Sequence, residues 1–241
     1  MDKAFSRSES LLGIGAAERL GGCHVAVVGL GGVGSFAAEA LARSGVGSLT
    51  LVDNDCISET NINRQLIALR STLGEPKAEV MGRRILDINP TAHLFVDTGR
   101  YCAKSRELFF SREYDYIIDA IDIVTDKLDL IAEAQSRGIP IISALGTGNK
   151  LDPSRLTLTD ISKTSGCSFA RVIRRELRSR GILHHAVVYS PEPSAVIAEA
   201  EEQPPPGRRS VPGSLIWVPA SAGLMLAGHV VLRLTGNAGL G

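Results

Sequence analysis

The chain has 241 residues, of which 44% are hydrophobic and 22% are charged, a composition typical of one large globular domain or of a domain with a small appendage. Its 26 Lys and Arg residues balance its 26 Asp and Glu residues. The net charge therefore argues neither for nor against a nucleic acid partner, and only a local charged patch could do so. The four cysteines lie far apart without a C-x-x-C pair, which argues against a four-thiolate zinc site and is typical of a reducing compartment.

The chain begins with MDKAFSRSES, which contains no long apolar stretch. No secretory signal is therefore expected. Together with the scattered thiols, this predicts a cytoplasmic protein.

Strands and helices are predicted to alternate over roughly the first 145 residues. Segments such as HVAVVG and YDYIIDA are almost continuously apolar, which is typical of parallel strands covered on both faces. The predicted strands are 24–29, 48–53, 93–97, 114–120 and 139–145, and the predicted helices are about 32–44, 77–89 and 126–138. The pattern predicts an α/β fold, Rossmann-like and doubly wound, with a mostly parallel sheet.

The pattern changes after residue 145. The later segments are a strand with one polar face at 154–161, a basic amphipathic helix at 169–181, a short strand at 184–190 and a proline-rich loop within 191–213. We therefore expect a nucleotide-binding core at residues 1–150. Residues 151–241 are expected to form a C-terminal extension of the same domain, adding a few antiparallel strands and helices.

A long apolar run follows the proline-rich loop. Residues 215–232 contain no Asp, Glu, Lys or Arg and approach the length of a membrane span. Pro219 interrupts the run early, and glycine, serine and histidine dilute it. We predict a short buried strand in SLIWVP followed by a buried helix, and no membrane partner.

The first predicted strand leads into a glycine-rich turn and a helix. The glycines are Gly29, Gly31, Gly32 and Gly34, which spell G-x-G-G-x-G. Glycine lets the backbone approach a phosphate closely, and the helix N-terminus supplies N–H donors. Asp53 closes the next strand, about 20 residues on, where a carboxylate binds ribose hydroxyls. The context predicts a nucleotide site rather than a purely structural turn.

Charged residues beyond the second strand favour ATP over NAD. Arg64 and Lys77 would lie near the carboxyl ends of the strands, where their charges suit a polyphosphate, although each alone also suits a solvated surface. Asp119 and Asp122 end the fourth strand, where carboxylates suit Mg²⁺. Asp122 also stands where it could cap the following helix.

These motifs resemble a known family. GLGGVGS, LVDNDCI, NINRQ, KAEV and IDAID are similar to the signature of the ThiF/MoeB and ubiquitin-activating family of adenylating enzymes. The resemblance spans roughly residues 5 to 165. It implies contacts of Asp53 with ribose, of Asn61, Arg64 and Lys77 with phosphate, and of Asp122 with Mg²⁺.

The segment FSRSESLLG resembles the entry segment of the same family, whose arginine reaches the ATP of the other subunit. The resemblance therefore implies that Arg7 completes a catalytic site across a homodimer. The alternative is a flexible N-terminal arginine.

Members that charge ubiquitin-like proteins often carry two zinc-binding C-x-x-C pairs and a nucleophilic cysteine, whereas the distal region here offers only Cys167. The whole set of segments, including TDISKT, most closely resembles the tRNA threonylcarbamoyladenosine dehydratase subfamily. That resemblance implies a ligase-type enzyme that uses ATP to activate the carboxylate of threonylcarbamoyladenosine at position 37 of tRNA, which then cyclises with loss of water. Some relatives bind a monovalent cation near the C-terminal region, where VPASAG could offer carbonyl groups here, although no ligands are identified. A sulfur-transfer or redox protein is a further possible partner.

A tRNA substrate requires a cationic surface. Within residues 163–180 the basic residues are Lys163, Arg171, Arg174, Arg175, Arg178 and Arg180, against Glu176 alone. Arg208 and Arg209 lie in the proline-rich loop. The resemblance favours a tRNA surface over an ordinary solvated helix face.

Three other functions are weighed against the dehydratase. The first is a ThiF/MoeB-like adenylyltransferase that activates the C-terminal glycine of a small sulfur-carrier protein, against which the missing zinc pairs argue. The second is a non-catalytic scaffold, against which the retention of Arg64, Lys77 and Asp122 argues. The third is an NAD-dependent oxidoreductase, for which no hydride-transfer residues are found.

Overall fold

The computed structural model describes residues 3–196 and 212–237. The predicted α/β architecture is confirmed: seven strands form one sheet in the order β3-β2-β1-β4-β5-β7-β6, in which only β6 runs antiparallel to its neighbour. The strands are β1 His24–Val28, β2 Ser48–Val52, β3 His93–Asp97, β4 Tyr116–Asp119, β5 Ile141–Leu145, β6 Thr157–Asp160 and β7 Ala186–Tyr189.

Eight α-helices accompany the sheet in the described ranges. They are α1 Ser6–Leu12, α2 Ala16–Gly21, α3 Gly34–Arg43, α4 Lys77–Ile88, α5 Arg106–Phe109, α6 Val124–Ser136, α7 Ser168–Ser179 and α8 Trp217–Leu234. The predicted helices after β1, before β3 and after β4 are therefore present, with ends shifted by a few residues.

Alternation along each central strand divides the core into two layers. Val25 and Val27 of β1 belong to the layer formed with α3, α4 and α8, whereas Ala26 and Val28 belong to the layer formed with α6 and α7. β4 divides in the same way. Each fully buried Val, Leu or Ile contributes about 1.5–3 kcal/mol by leaving water, so both layers hold the sheet.

The C-terminal region extends the sheet rather than forming a second one. β7 pairs in parallel with β5, and β6 pairs antiparallel with β7. The antiparallel pair of β6 and β7 confirms the antiparallel strands that were predicted for this extension. The predicted strand in SLIWVP is wrong, because no strand is found at 214–219 and α8 begins at Trp217. Pro219 stands in the first turn of α8, where its missing N–H costs no helical hydrogen bond.

α8 is the one described helix whose length and apolar composition would suit a membrane span; its mean hydropathy is 1.3 and half of it is buried. Its buried face contacts α3, and a Cβ on Gly223 would lie 2.3 Å from the carbonyl oxygen of Val33. A Cβ on Gly32 would lie 3.3 Å from Pro219. α8 is therefore a core helix that packs against the glycine loop, as predicted for its helical part.

Candidate nucleotide-binding site

A cleft of about 860 Å³ opens at the carboxyl ends of the central parallel strands, within the usual size range of small-molecule sites. Parallel α/β sheets bind ligands at this edge, because strand ends and helix N-termini meet there. Of the residues predicted for the site, those that line the cleft are Gly29, Gly31, Gly32, Asp53, Asn61, Arg64, Lys77 and Asp122.

Close backbone contacts shape the glycine loop and leave no room for a side chain at Gly29 or Gly34. Gly29 has a φ of 89°, and a Cβ there would lie 2.8 Å from the carbonyl oxygen of Ala120. A Cβ on Gly34 would lie 1.7 Å from the carbonyl oxygen of Gly29. Gly34 does not line the cleft; it lets the loop close onto the start of α3, whose N-terminus then faces the cleft.

Asp53 follows β2 and is held beneath the glycine loop. Its Oδ2 accepts a hydrogen bond from the N–H of Leu30 at 2.6 Å, and its Oδ1 accepts one from the N–H of Asp55 at 2.9 Å. Burial raises the pKa of Asp53, against the charge of Lys77 and the two backbone N–H groups. The carboxylate is thus fixed at the cleft, at the position where this fold binds ribose.

Asn61 is the last residue of a short 3₁₀ turn, Glu59–Asn61, and Arg64 lies three residues further along the chain. The side chain of Asn61 accepts a hydrogen bond from the N–H of Ser58 at 3.2 Å. Arg64 donates from Nη1 to the carbonyl oxygen of Thr60 at 2.7 Å and to Asn63 Oδ1 at 2.9 Å. A guanidinium has five N–H donors, so Arg64 is oriented while donors remain for an anion.

Lys77 begins α4 directly after Pro76 and is only 5% exposed. Its Nζ donates to Asp55 Oδ2 at 2.7 Å, and the Asp55 side chain is 61% exposed. The ammonium is therefore held at the cleft by a carboxylate that can swing into solvent. A phosphate group could replace that carboxylate without leaving the lysine unpaired.

Asp119, the last residue of β4, and Asp122, in the turn that follows, have different surroundings. Asp119 is 0% exposed, bonds Lys127 and Ser143, and does not line the cleft, so its predicted role as a second metal ligand is wrong. Asp122 does line the cleft. The N-cap of α6 is Ile123 with no side-chain cap, which gives no support to the capping role for Asp122.

The donor set at Asp122 suits magnesium rather than an all-protein metal site. Within the described residues no group of three or more His, Cys, Asp or Glu could hold a metal ion. Mg²⁺ is commonly bound by one or two carboxylates together with substrate phosphates and water. Asp122, which lines the cleft with Arg64 and Lys77, fits that pattern.

The opposite wall of the cleft was missed by sequence reasoning. It includes the loop from Gly146 to Lys150 after β5 and the start of α7. Lys150 is 3% exposed and donates to the carbonyl oxygen of Glu192. The position of GTGNK, directly after a buried strand, was the signal that could have found this wall.

Cys167 is the N-cap of α7, and its Sγ accepts a hydrogen bond from the N–H of Ala170 at 3.4 Å. The thiol is 6% exposed, and a Cβ on Gly146 would lie 2.3 Å from it. These contacts give Cys167 a packing role at the wall of the cleft.

The predicted basic helix is α7, which buries Ala170, Ile173 and Leu177. Arg174 is used structurally, since it donates to the carbonyl oxygen and Oγ1 of Thr164 at 2.5 Å. Glu176 pairs with two of its neighbours, Arg175 and Arg180. Among the six basic residues of 163–180, those that are exposed and have no ion pair to a described residue are Lys163, Arg171 and Arg178.

Two predicted groups of residues lie elsewhere. Arg7 is exposed on α1 and does not line the cleft of its own chain. Arg208 and Arg209 lie outside the described residues.

Known proteins resemble this chain over nearly its whole length. The tRNA threonylcarbamoyladenosine dehydratase of Bacillus subtilis (strain 168) is 45% identical over 238 residues, which are 95% of this chain and 94% of that protein. The crystal structure of E. coli tRNA N6-threonylcarbamoyladenosine dehydratase in complex with ATP has a TM-score of 0.87 and 35% identity, and covers 98% of this chain and 95% of its own. Its complex with AMP gives the same values.

A second enzyme type is more distantly similar. The molybdopterin-synthase adenylyltransferase of E. coli (strain K12) is 35% identical over 127 residues, which are 52% of this chain and 50% of that protein. Residues 5–239 match the ThiF family. The chain therefore belongs to the ThiF family.

Proposed function

We propose that this protein is an ATP-dependent tRNA threonylcarbamoyladenosine dehydratase, which activates the substrate carboxylate by adenylation. The observation that supports it most is the cleft, which brings the glycine loop, Asp53, Arg64, Lys77 and Asp122 together. The full-length relative that is 45% identical carries the same named activity.

The chemistry needs activation because a carboxylate is a poor electrophile. A carboxylate oxygen of the threonylcarbamoyl group attacks the α-phosphorus of ATP, and pyrophosphate leaves. A nitrogen or oxygen of the same group then attacks the acyl carbon, and AMP leaves with the former carboxylate oxygen. The nucleoside loses one water in total, and tethering makes the second step effectively intramolecular.

Each residue has a role in that scheme. The glycine loop and the N-terminus of α3 hold phosphate, and Asp53 accepts the ribose hydroxyls. Asn61, Arg64 and Lys77 bind the polyphosphate and neutralise the charge that builds up on it. Asp122 holds Mg²⁺, which when bound supplies charge neutralisation at the phosphates.

The partners follow from the same proposal. The exposed cations of α7 bind tRNA phosphates, and a homodimer brings Arg7 to the ATP of the partner subunit. The enzyme works in the cytoplasm. A monovalent cation near VPASAG and a sulfur-transfer or redox partner stay predictions without assigned residues, as does the division between residues 1–150 and 151–241.

Nucleoside mass spectrometry tests the proposal. The protein is incubated with ATP, Mg²⁺ and tRNA carrying threonylcarbamoyladenosine, and the nucleosides are weighed after digestion. We expect a loss of one water, which Asp122→Asn abolishes while tRNA still binds. An unchanged nucleoside mass would refute the dehydratase activity, and full activity of Asp122→Asn would refute the metal assignment.

The second candidate is activation of the C-terminal glycine of a sulfur-carrier protein. The partial similarity to molybdopterin-synthase adenylyltransferase favours it. The absence of C-x-x-C pairs from the sequence argues against it. Pyrophosphate release that requires a carrier protein, and does not respond to modified tRNA, would favour this candidate.

A further inference from the structure

A buried chain of four polar side chains lies behind the cleft, on the sheet face covered by α6 and α7. Asp119 ends β4, Ser143 lies beside it in register on β5, and His185 directly precedes β7. Lys127 reaches them from α6. Three of the residues are 0% exposed and His185 is 3% exposed.

The contacts fix the direction of each hydrogen bond. Lys127 Nζ and Ser143 Oγ each donate to Asp119 Oδ2 at 2.6 Å. Ser143 has one hydroxyl hydrogen, which the carboxylate takes, so Ser143 Oγ accepts from His185 Nε2 at 2.7 Å. Burial, and then the charge of Lys127, lowers the pKa of His185 to about 3. The imidazole is therefore neutral, and the charges of the chain are those of Lys127 and Asp119.

Asp119 connects this buried chain to the cleft. Its Oδ1 accepts a hydrogen bond from the N–H of Ile121 at 3.0 Å, and Ile121 and Asp122 both line the cleft. The same turn packs against the glycine loop, since a Cβ on Gly29 would lie 2.8 Å from the carbonyl oxygen of Ala120. The carboxylate of Asp119 thus anchors the turn that carries Asp122.

The charges of two carboxylates act on the buried ammonium of Lys127. Burial lowers the pKa of Lys127, and the negative charges of Asp119 and Asp122 oppose that shift. Asp119 takes the hydrogen bond of the ammonium. The ammonium therefore has one bonded carboxylate on its own side of the turn and a second one within electrostatic reach on the cleft side.

We propose that Lys127 and Asp119 are a positioning pair: Asp119 anchors the turn that carries Asp122 and holds the ammonium of Lys127, so that Lys127 does not compete with Mg²⁺ for Asp122. The inference rests on the proposed role of Asp122. A buried ammonium that loses its partner must find another, because an unpaired buried charge is strongly destabilising.

Asp119→Asn tests the pair because it keeps the shape and an acceptor for Ile121 but removes the charge. The ammonium is then drawn to Asp122 and competes with the metal. We expect the Mg²⁺ concentration that half-saturates binding of a fluorescent ATP analogue to rise about tenfold or more. Adding Lys127→Met to Asp119→Asn removes the competing cation, and we expect the requirement to return to within about threefold of the unaltered protein.

Two control variants distinguish an effect on the position of Asp122 from a general loss of stability. Glu39→Gln removes another buried, ion-paired carboxylate, on α3 and away from this chain of contacts. It should lower the melting temperature in EDTA without changing the Mg²⁺ requirement. Lys127→Arg provides a second test if Asp119→Asn does not fold, because a forked guanidinium can bond both carboxylates and should also raise the requirement.

The outcomes distinguish two failures. If nucleotide binding to the unaltered protein does not depend on Mg²⁺, the proposed role of Asp122 fails. If that binding depends on Mg²⁺ but Asp119→Asn changes only the melting temperature, the positioning pair is overturned. A high requirement that persists in the double variant would also overturn it.

Discussion

The two walls of the cleft are built differently. The glycine-loop wall comes from short motifs directly after β1 and β2, and its parts are held by local bonds such as those of Asp53 to Leu30 and Asp55. The opposite wall joins segments far apart in the chain: Lys150 bonds Glu192, and Asn149 Oδ1 accepts from the N–H of Gly213. The first wall can be altered one residue at a time, whereas the second depends on tertiary contacts.

The largest expected effect is on stability, and it distinguishes a glycine needed for packing from a glycine that faces the ligand in the glycine loop. Gly34→Ala places a methyl group against the backbone of Gly29, and we expect a loss of about 3 kcal/mol in the free energy of unfolding. Gly31→Ala is the matched variant, since its Cβ would meet only Gln65 at an ordinary 3.7 Å. Urea unfolding should show Gly31→Ala near normal stability, with its defect confined to ATP binding. Equal stability of the two variants would contradict the assignment of Gly34 to loop closure.

The next effect concerns the exchangeable partner of Lys77. Lys77→Met removes a cation proposed to contact phosphate, and we expect kcat for pyrophosphate release to fall about 100-fold. Asp55→Asn removes the carboxylate that the phosphate replaces. We expect ATP binding to Asp55→Asn, measured by calorimetry, to be unchanged or tighter. Weaker binding in Asp55→Asn would mean that Asp55 itself contacts the nucleotide.

A smaller effect is expected on the C-terminal side, where the proposed tRNA binding is shared by several cations of α7. Arg171→Glu combined with Arg178→Glu should weaken tRNA binding about tenfold and reduce the slope of log affinity against log salt by about two. ATP affinity should not change. Arg174→Ala should instead lower the melting temperature, because Arg174 bonds Thr164. An unchanged salt slope in filter binding would remove α7 from the tRNA surface.

The smallest effect is a pH dependence far from both walls. Burial alone would raise the pKa of Glu39, but bonds from Arg84 and Arg43 outweigh it and hold that pKa below its ordinary value of 4.5. A lowered folded pKa contributes stability above the unfolded pKa, and the contribution is lost as pH falls through the folded pKa. Glu39→Gln should therefore cost about 1 kcal/mol at neutral pH and less in acid, measured by urea unfolding. A cost that is the same at both pH values would contradict this.

Sequence reasoning reached the glycine-loop wall because its signals are local. Each signal depends only on neighbours in the chain: the periodicity of the strands, the spacing of the glycines and an aspartate at a strand end. From these signals both the fold class and the residues that line this wall could be predicted. The placement of Asp119 could not be predicted, because Asp119 and Asp122 both lie at the carboxyl end of the same buried strand. Only the contacts of Lys127 and Ser143 separate their roles.

The structure of the C-terminal segments was also harder to predict, because it depends on tertiary contacts that a local pattern does not show. The continuous apolar run of SLIWVP suits a buried strand or the start of a helix. Pro219 does not decide between them, because proline is accepted in a first helical turn. The thiol of Cys167 is fixed by Gly146 and Ala170, and that packing is invisible in a sequence without the fold. The charge pattern of the sequence predicted the cations of α7. It did not predict that Arg174 is hydrogen-bonded to Thr164 and so has a structural role.

The last described helix, α8, contacts the glycine loop through Pro219 beside Gly32 and Gly223 beside Val33. A nascent polypeptide therefore lacks one side of the cleft until α8 has left the ribosome. We expect ATP to be useless to truncated chains that end before α8, so that incomplete translation products neither consume nucleotide nor release a reactive acyl adenylate.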